Sequence, residues 1–211
     1  MPPPSPGADL EVVDLDRSRF RAAAVVLARS FDDDPVSVYA FPNPRRRRPA
    51  LRAYMRGAMA DAAAAGLVHV AVEAGRVLGV AAWMAPGRWH PSTGRLLRQV
   101  PSLLQALVLS PVSARMVRVA NTAQRAHPAE EHWYLQTLGV EPSRQGEGIG
   151  RLLMEPILEQ ADAEGRPCYL ETSTLPNVAW YRRAGFDVVD ELRPPGGAPL
   201  MWTMWRDPRT G

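Results

Sequence analysis

The spacing of apolar positions changes several times along the chain, and each change marks an expected element. "EVVDL" (11–15) is short and β-branched and predicts a strand. From Asp16, a candidate N-cap, Phe20, Ala24 and Leu27 recur near the helical period, so a helix is expected to about Phe31. "FDDDPVSVYAFPNP" (31–44) breaks both periods and reads as a turn-rich loop. Arg45–Arg48 then lead into an alanine-rich helix ending near Gly66. "LVHVAVE" and "VLGVAAWMA", joined by "AGR", predict a hairpin that stops at Pro86-Gly87. Ser92 to Ala126 is helical in pattern, broken at Pro101 and Pro111 into two or three helices. After it come a strand "HWYLQTLGV", a helix to about Glu164, a strand "PCYLETS", a short helix "PNVAWYRRAG" and a strand "FDVVDEL". The turn "RPPGGAP" leads to a last strand, "LMWTMWR". The C-terminal half thus runs β-α-β-α-β-β, a mixed α/β layout.

Composition narrows the chemistry. The 211 residues suffice for one self-sufficient core. We expect a proline-rich, disordered tail over 1–8, a single domain over 9–208, and a helical insertion over 86–130. All 25 basic residues are arginine, which removes lysine Schiff bases and any P-loop lysine. A net charge of +3 is too mild to imply nucleic acid. The single cysteine, Cys168, sits in an apolar run and reads as a buried hydrophobe rather than a zinc ligand. No leader pattern and no apolar run of membrane length occur, so a cytoplasmic location without membrane attachment is expected.

"RQGEGIGRLL" (144–153) is the segment that points to chemistry. Three glycines in five positions lie between a strand and a helix, where freed backbone N–H groups and the helix dipole suit an anion such as pyrophosphate. The dinucleotide fingerprint G-x-G-x-x-G fails because the third place is Arg151. A P-loop fails on the same residue.

"LGVEPSRQGEGIGRLL" resembles motif A of the GNAT superfamily of acetyl-CoA-dependent N-acetyltransferases, through Val140, Pro142, Gln145, Gly146, Gly148, Ile149 and Gly150. "ETSTLPNVAWYRRAGF" resembles that superfamily's next element, with Asn177, Tyr181, Gly185 and Phe186 at the pattern positions. The two lie in the family's order over about Glu131–Arg206 and are similar to the puromycin N-acetyltransferase branch. The resemblance implies a GNAT fold: a mixed sheet flanked by helices, with a splayed parallel strand pair that receives acetyl-CoA as cosubstrate. It implies main-chain contacts to the pantetheine along Leu138, Gly139 and Val140. It also implies pyrophosphate contacts from the backbone of Gln145, Gly146, Glu147, Gly148, Ile149, Gly150 and Arg151, flanked by Arg144, with Asn177 touching the pantetheine. By the same resemblance Tyr181 is the general acid at the leaving thiolate and Glu171 the candidate base, the strand before the glycine loop offering only Gln136 and Thr137.

Other signals are weaker. "HPAEEH" sets His127 and His132 near two carboxylates but matches no metalloprotease spacing, so no metal is expected, and a substrate-side role is conceivable for His132. "RRRR" at 45–48 lacks interleaved aromatics and reads as solvated surface. Asp32, Asp33 and Asp34 are candidates to hold a cationic amine; Trp83, Trp89 and Trp133 are candidates for an acceptor pocket. The expectation is an enzyme that acetylates a primary amine of a small molecule, such as an aminonucleoside-like antibiotic, as a monomer or homodimer. Alternatives are a protein or peptide N-acetyltransferase, and a non-catalytic acyl-CoA-binding regulator.

Overall fold

In a computed structural model that describes residues 10–90, 92–110 and 115–209, the expected strands form one sheet. The tail 1–8 and the helix break at Pro111 lie outside the described residues. The strands are β1 (Glu11–Asp14), β2 (Gly66–Glu73), β3 (Arg76–Met84), β4 (Trp133–Val140), β5 (Cys168–Thr172), β6 (Asp187–Leu192) and β7 (Met201–Arg206). Their order is β1-β2-β3-β4-β5-β7-β6, and every neighbouring pair is antiparallel except β4–β5. The β2–β3 hairpin turns through Ala74 and Gly75, both at positive φ, the primed geometry that matches strand twist.

Among the described residues, seven α-helices cover the sheet: α1 (Phe20–Ser30), α2 (Pro35–Ala40), α3 (Pro44–Ala65), α4 (Thr93–Leu109), α5 (Arg115–Ala126), α6 (Ile149–Ala163) and α7 (Leu175–Arg183). One apolar cluster joins α1 and α3 to β2 and β3 through Leu27, Leu51, Met59 and Val70. A second joins α6 and α7 to the centre of the sheet through Leu153, Ile157, Leu170 and Phe186, and a small third one packs Val119 of α5 on Leu192 and Met201. The sheet is therefore sandwiched between two helical layers.

The structure departs from the sequence pattern at three places. The expected loop 31–44 contains α2, because Asp34 caps it from Ser37 N–H at 3.0 Å and Pro35 supplies a preset first-turn φ. Helix α1 begins after Asp16, whose carboxylate instead holds the preceding turn through Arg19 N–H. Pro101 lies inside an unbroken α4. The "RRRR" run is not uniformly solvated either. Arg47 is buried and donates to the carbonyls of Phe41 and Asp32, at 2.8 and 3.0 Å, while Arg48 pairs with Asp32.

Helix α4 is tied to α3 by Arg95, which grips Asp61 through two bonds of 2.7 and 2.8 Å with both side chains buried. The same guanidinium donates to the carbonyl of His90, fixing the segment that carries Trp89.

Candidate active site

The parallel strands pair only from Trp133–Cys168 to Leu135–Leu170. Past that point β4 continues to Val140 bonded to β3 alone, and β5 continues to Thr172 bonded to β7 alone. The register against β3 steps from Ala82–Thr137 to Trp83–Leu135, so Gln136 is an extra residue, a bulge that bends β4 away from β5. The result is a notch walled by two strand edges. Glu141 N–H donates back to Leu78 on β3, so in the alternating strand the main-chain groups of Val140 and Leu138 face the notch. Glycine at 139 lets α1 pack close on β4, since a Cβ would stand 2.9 Å from Leu27 Cδ2 and 3.0 Å from Ser30 and force them to shift.

At the open end, a 3-10 turn (Pro142–Arg144) feeds the glycine loop. Gly146 and Gly148 both have φ of +84°, a conformation that costs other residues dearly. Among the described residues, the backbone N–H groups of Gly146 to Gly150 find no backbone acceptor. They open onto a groove of about 690 Å3 lined also by Arg151, Asn177 and Trp180. Arg144 is spoken for: it takes Glu73 at 2.6 and 3.1 Å and Glu147 at 2.7 Å, and so braces the loop.

A second cavity, of about 380 Å3, lies between the sheet and helices α3 and α5. Phe31, Asp34, Leu138, Asn177 and Tyr181 line both spaces, so the groove and the pocket meet at Tyr181. Tyr181 is held there by its surroundings. Gly185, at φ +94°, ends α7 and returns Phe186 N–H to the Tyr181 carbonyl at 3.1 Å, and the Phe186 ring packs edge-on against the phenol. Burial keeps its hydroxyl protonated far above neutral pH.

The family profile described as "Acetyltransferase (GNAT) family" matches residues 31–186, which span both the glycine loop and Tyr181. The chain belongs to that family. It is 30% identical over 181 residues to an uncharacterized N-acetyltransferase of Schizosaccharomyces pombe, across 82% of this chain and 72% of that one. A crystal structure titled histone acetyltransferase HPA2 and related acetyltransferase, from Corynebacterium glutamicum, superposes with a TM-score of 0.70 at 24% identity, over 96% of this chain and 98% of that one. The PaiA N-acetyltransferase of Thermoplasma acidophilum, solved with coenzyme A, gives 0.56 at 12% identity, over 94% and 98%. The protein is thus an acyltransferase with the GNAT fold, and its splayed β4–β5 pair is the feature of that fold expected from the glycine-loop motif.

In this acetyltransferase the second predicted site residue, Glu171, stands in the pocket wall on β5 with its side chain 7% exposed. One of its oxygens, Oε1, is buried without a hydrogen-bond partner. Asp34 reaches the junction of groove and pocket and accepts from Ser173 Oγ at 2.5 Å, whereas Asp32 is held by Arg48. Of the three tryptophans, Trp89 lines the pocket; Trp83 and Trp133 belong to the core. Cys168 faces the core too, and burial pushes its thiol up to about 12.

Sequence reading missed His127. Its ring stacks on Trp89 with centroids 3.8 Å apart, and its Nδ1 stands 3.8 Å from Glu171 Oε1. Its Nε2 is 3.0 Å from His132 Nε2, and His132 Nδ1 is 2.6 Å from the Glu130 carbonyl. Burial brings His132 down to about 4. The paired histidines in "HPAEEH" were the available signal, but spacing alone does not say that α5 ends against β5.

Proposed function

We propose that this acetyltransferase moves the acetyl group of acetyl-CoA directly onto a primary amine of a small molecule with an apolar body. The observation that carries this reading is the meeting of two separate cavities at one buried, protonated tyrosine.

The groove fits the donor. The free N–H groups of Gly146–Gly150 sit at a helix N-terminus, where phosphate oxygens are favoured. A Cβ placed on Gly146 or Gly148 would meet no other part of the described residues within 4 Å, so the loop is an open cradle, and Arg151 lines the groove. Leu138 and Val140 offer strand-edge groups to an amide-bearing arm, and Asn177 stands beside them. When bound there, acetyl-CoA supplies the activated acyl group.

The pocket fits the acceptor. Leu51, Tyr54, Met55, Met116, Val119 and Trp89 make its walls apolar, while Asp34 and Glu171 give two carboxylates to attract and orient an ammonium. Enclosure by α3 and α5 favours a compact molecule over a protein tail. An aminonucleoside-type antibiotic, with an amine on a bulky flat body, falls in this class. Glu171 draws the proton from the amine, and Tyr181 gives one to the departing sulfur.

A coenzyme A release assay over a panel of amines, puromycin included, tests the reading. Acetyl-CoA is expected to raise the thermal midpoint, and free thiol to appear only when an accepted amine is present. Tyr181→Phe is expected to lower kcat roughly 10²–10⁴-fold while leaving acetyl-CoA stabilisation in place. Stabilisation by acetyl-CoA with no thiol from any amine would point to a binding regulator instead.

A further inference from the structure

The tautomers of His127, in the pocket wall, and of the buried His132 beside it are set by their partners. A carbonyl oxygen only accepts, so His132 Nδ1 carries the hydrogen it points at Glu130. His132, neutral because it is buried, then presents a lone pair at Nε2. That lone pair must be met by a hydrogen on His127 Nε2, 3.0 Å away. The remaining nitrogen of His127, Nδ1, is the basic one, and it faces the otherwise unpartnered Oε1 of Glu171. The chain of partners from Glu130 through His132 thus leaves a lone pair on His127 Nδ1 facing Oε1, room for one shared proton.

Resting on the amine-acetylation reading, we propose that the proton acceptor is a Glu171–His127 pair acting through His127 Nδ1, with His132 the positioning residue that fixes the tautomer. The other titratable groups that face the pair do not compete. Tyr134 on β4 and Tyr169 on β5 are held protonated by burial and by the Glu171 carboxylate beside them. His90 lies on the far side of Trp89. Asp61 is neutralised by Arg95, and Asp34 is taken by Ser37 and Ser173 across the pocket. The pair lines the acceptor pocket, so the amine reaches it without passing Tyr181.

The step balances as follows. The ammonium yields one proton to the pair, and the neutral nitrogen forms the N–C bond as the C–S bond breaks. The nitrogen's second surplus proton leaves through the same pair, while the Tyr181 hydroxyl proton goes to sulfur. One proton reaches solvent in net, and the other restores Tyr181.

The test has a substrate-free arm and a kinetic arm. Imidazole 15N shifts of the full chain, recorded from pH 5 to 9, should show His132 as the Nδ1–H tautomer and His127 as the Nε2–H tautomer. His127 Nδ1 should titrate, and Glu171→Gln should move that titration to lower pH. An Nδ1–H tautomer at His127, or a titration indifferent to Glu171→Gln, overturns the proposal. With an amine that turns over, His127→Asn keeps a polar group toward Glu171 but cannot carry the proton. Its kcat/KM should fall about 10²-fold at pH 7, and the deficit should shrink as pH approaches the amine's own pKa. An unchanged pH profile in His127→Asn beside an impaired Tyr181→Phe sinks the pair while leaving the acetyltransferase reading intact. If no amine turns over, that reading fails, and the nitrogen shifts still decide the tautomer order.

Discussion

His132 shows how much the burial of one ring fixes in this protein. Its ring is buried between Tyr169 and Trp205, and its pKa sits at about 4 in place of the ordinary 6.5. Between those two values the unfolded chain binds a proton there that the folded one refuses. Stability from this residue is therefore whole above pH 6.5 and lost as pH falls toward 4. Thermal midpoints measured across that window should drop with acidity, and the drop should be shallower in His132→Gln. Residue identities at the site were unevenly legible in the sequence. Tyr181, Asn177 and the glycine loop were legible as candidates because each belongs to a short motif with fixed spacing, and the structure brings them to one groove. His127 was not, because its partner Glu171 comes from a different strand far along the chain. The sequence shows Arg144 beside the glycine loop but not its partner: Glu73, which pairs with it, is 71 residues away.

At the scale of elements, the strands and most helices followed from apolar period alone, down to the β4–β5 pair that the family motif implied. What escaped was local capping chemistry. Asp34 with Pro35 builds a helix out of a segment whose composition reads as loop, and the unbroken α4 tolerates Pro101. The tie between α3 and α4 was equally invisible, since it joins Asp61 to Arg95 through a side-chain fork. Removing one partner strands the other's charge in an apolar setting. Asp61→Asn should cost about 3–5 kcal/mol, read as a lower denaturant midpoint at unchanged slope. Because the same arginine holds the His90 carbonyl, the variant should also weaken amine binding, raising KM by way of Trp89.

At the scale of the whole molecule, two helical layers grip opposite faces of the sheet, and the site sits where the central strands part company. The groove proposed for the donor and the pocket proposed for the acceptor share Phe31, Asp34, Leu138, Asn177 and Tyr181, and otherwise have linings of their own. The lone thiol, Cys168, is sealed in the core. These facts have a kinetic meaning. Each substrate has its own doorway, so neither must leave before the other enters, and the acetyl group has nowhere to wait. Double-reciprocal plots at several fixed amine concentrations should intersect rather than run parallel, and labelled acetyl-CoA should not exchange with free coenzyme A until an amine arrives.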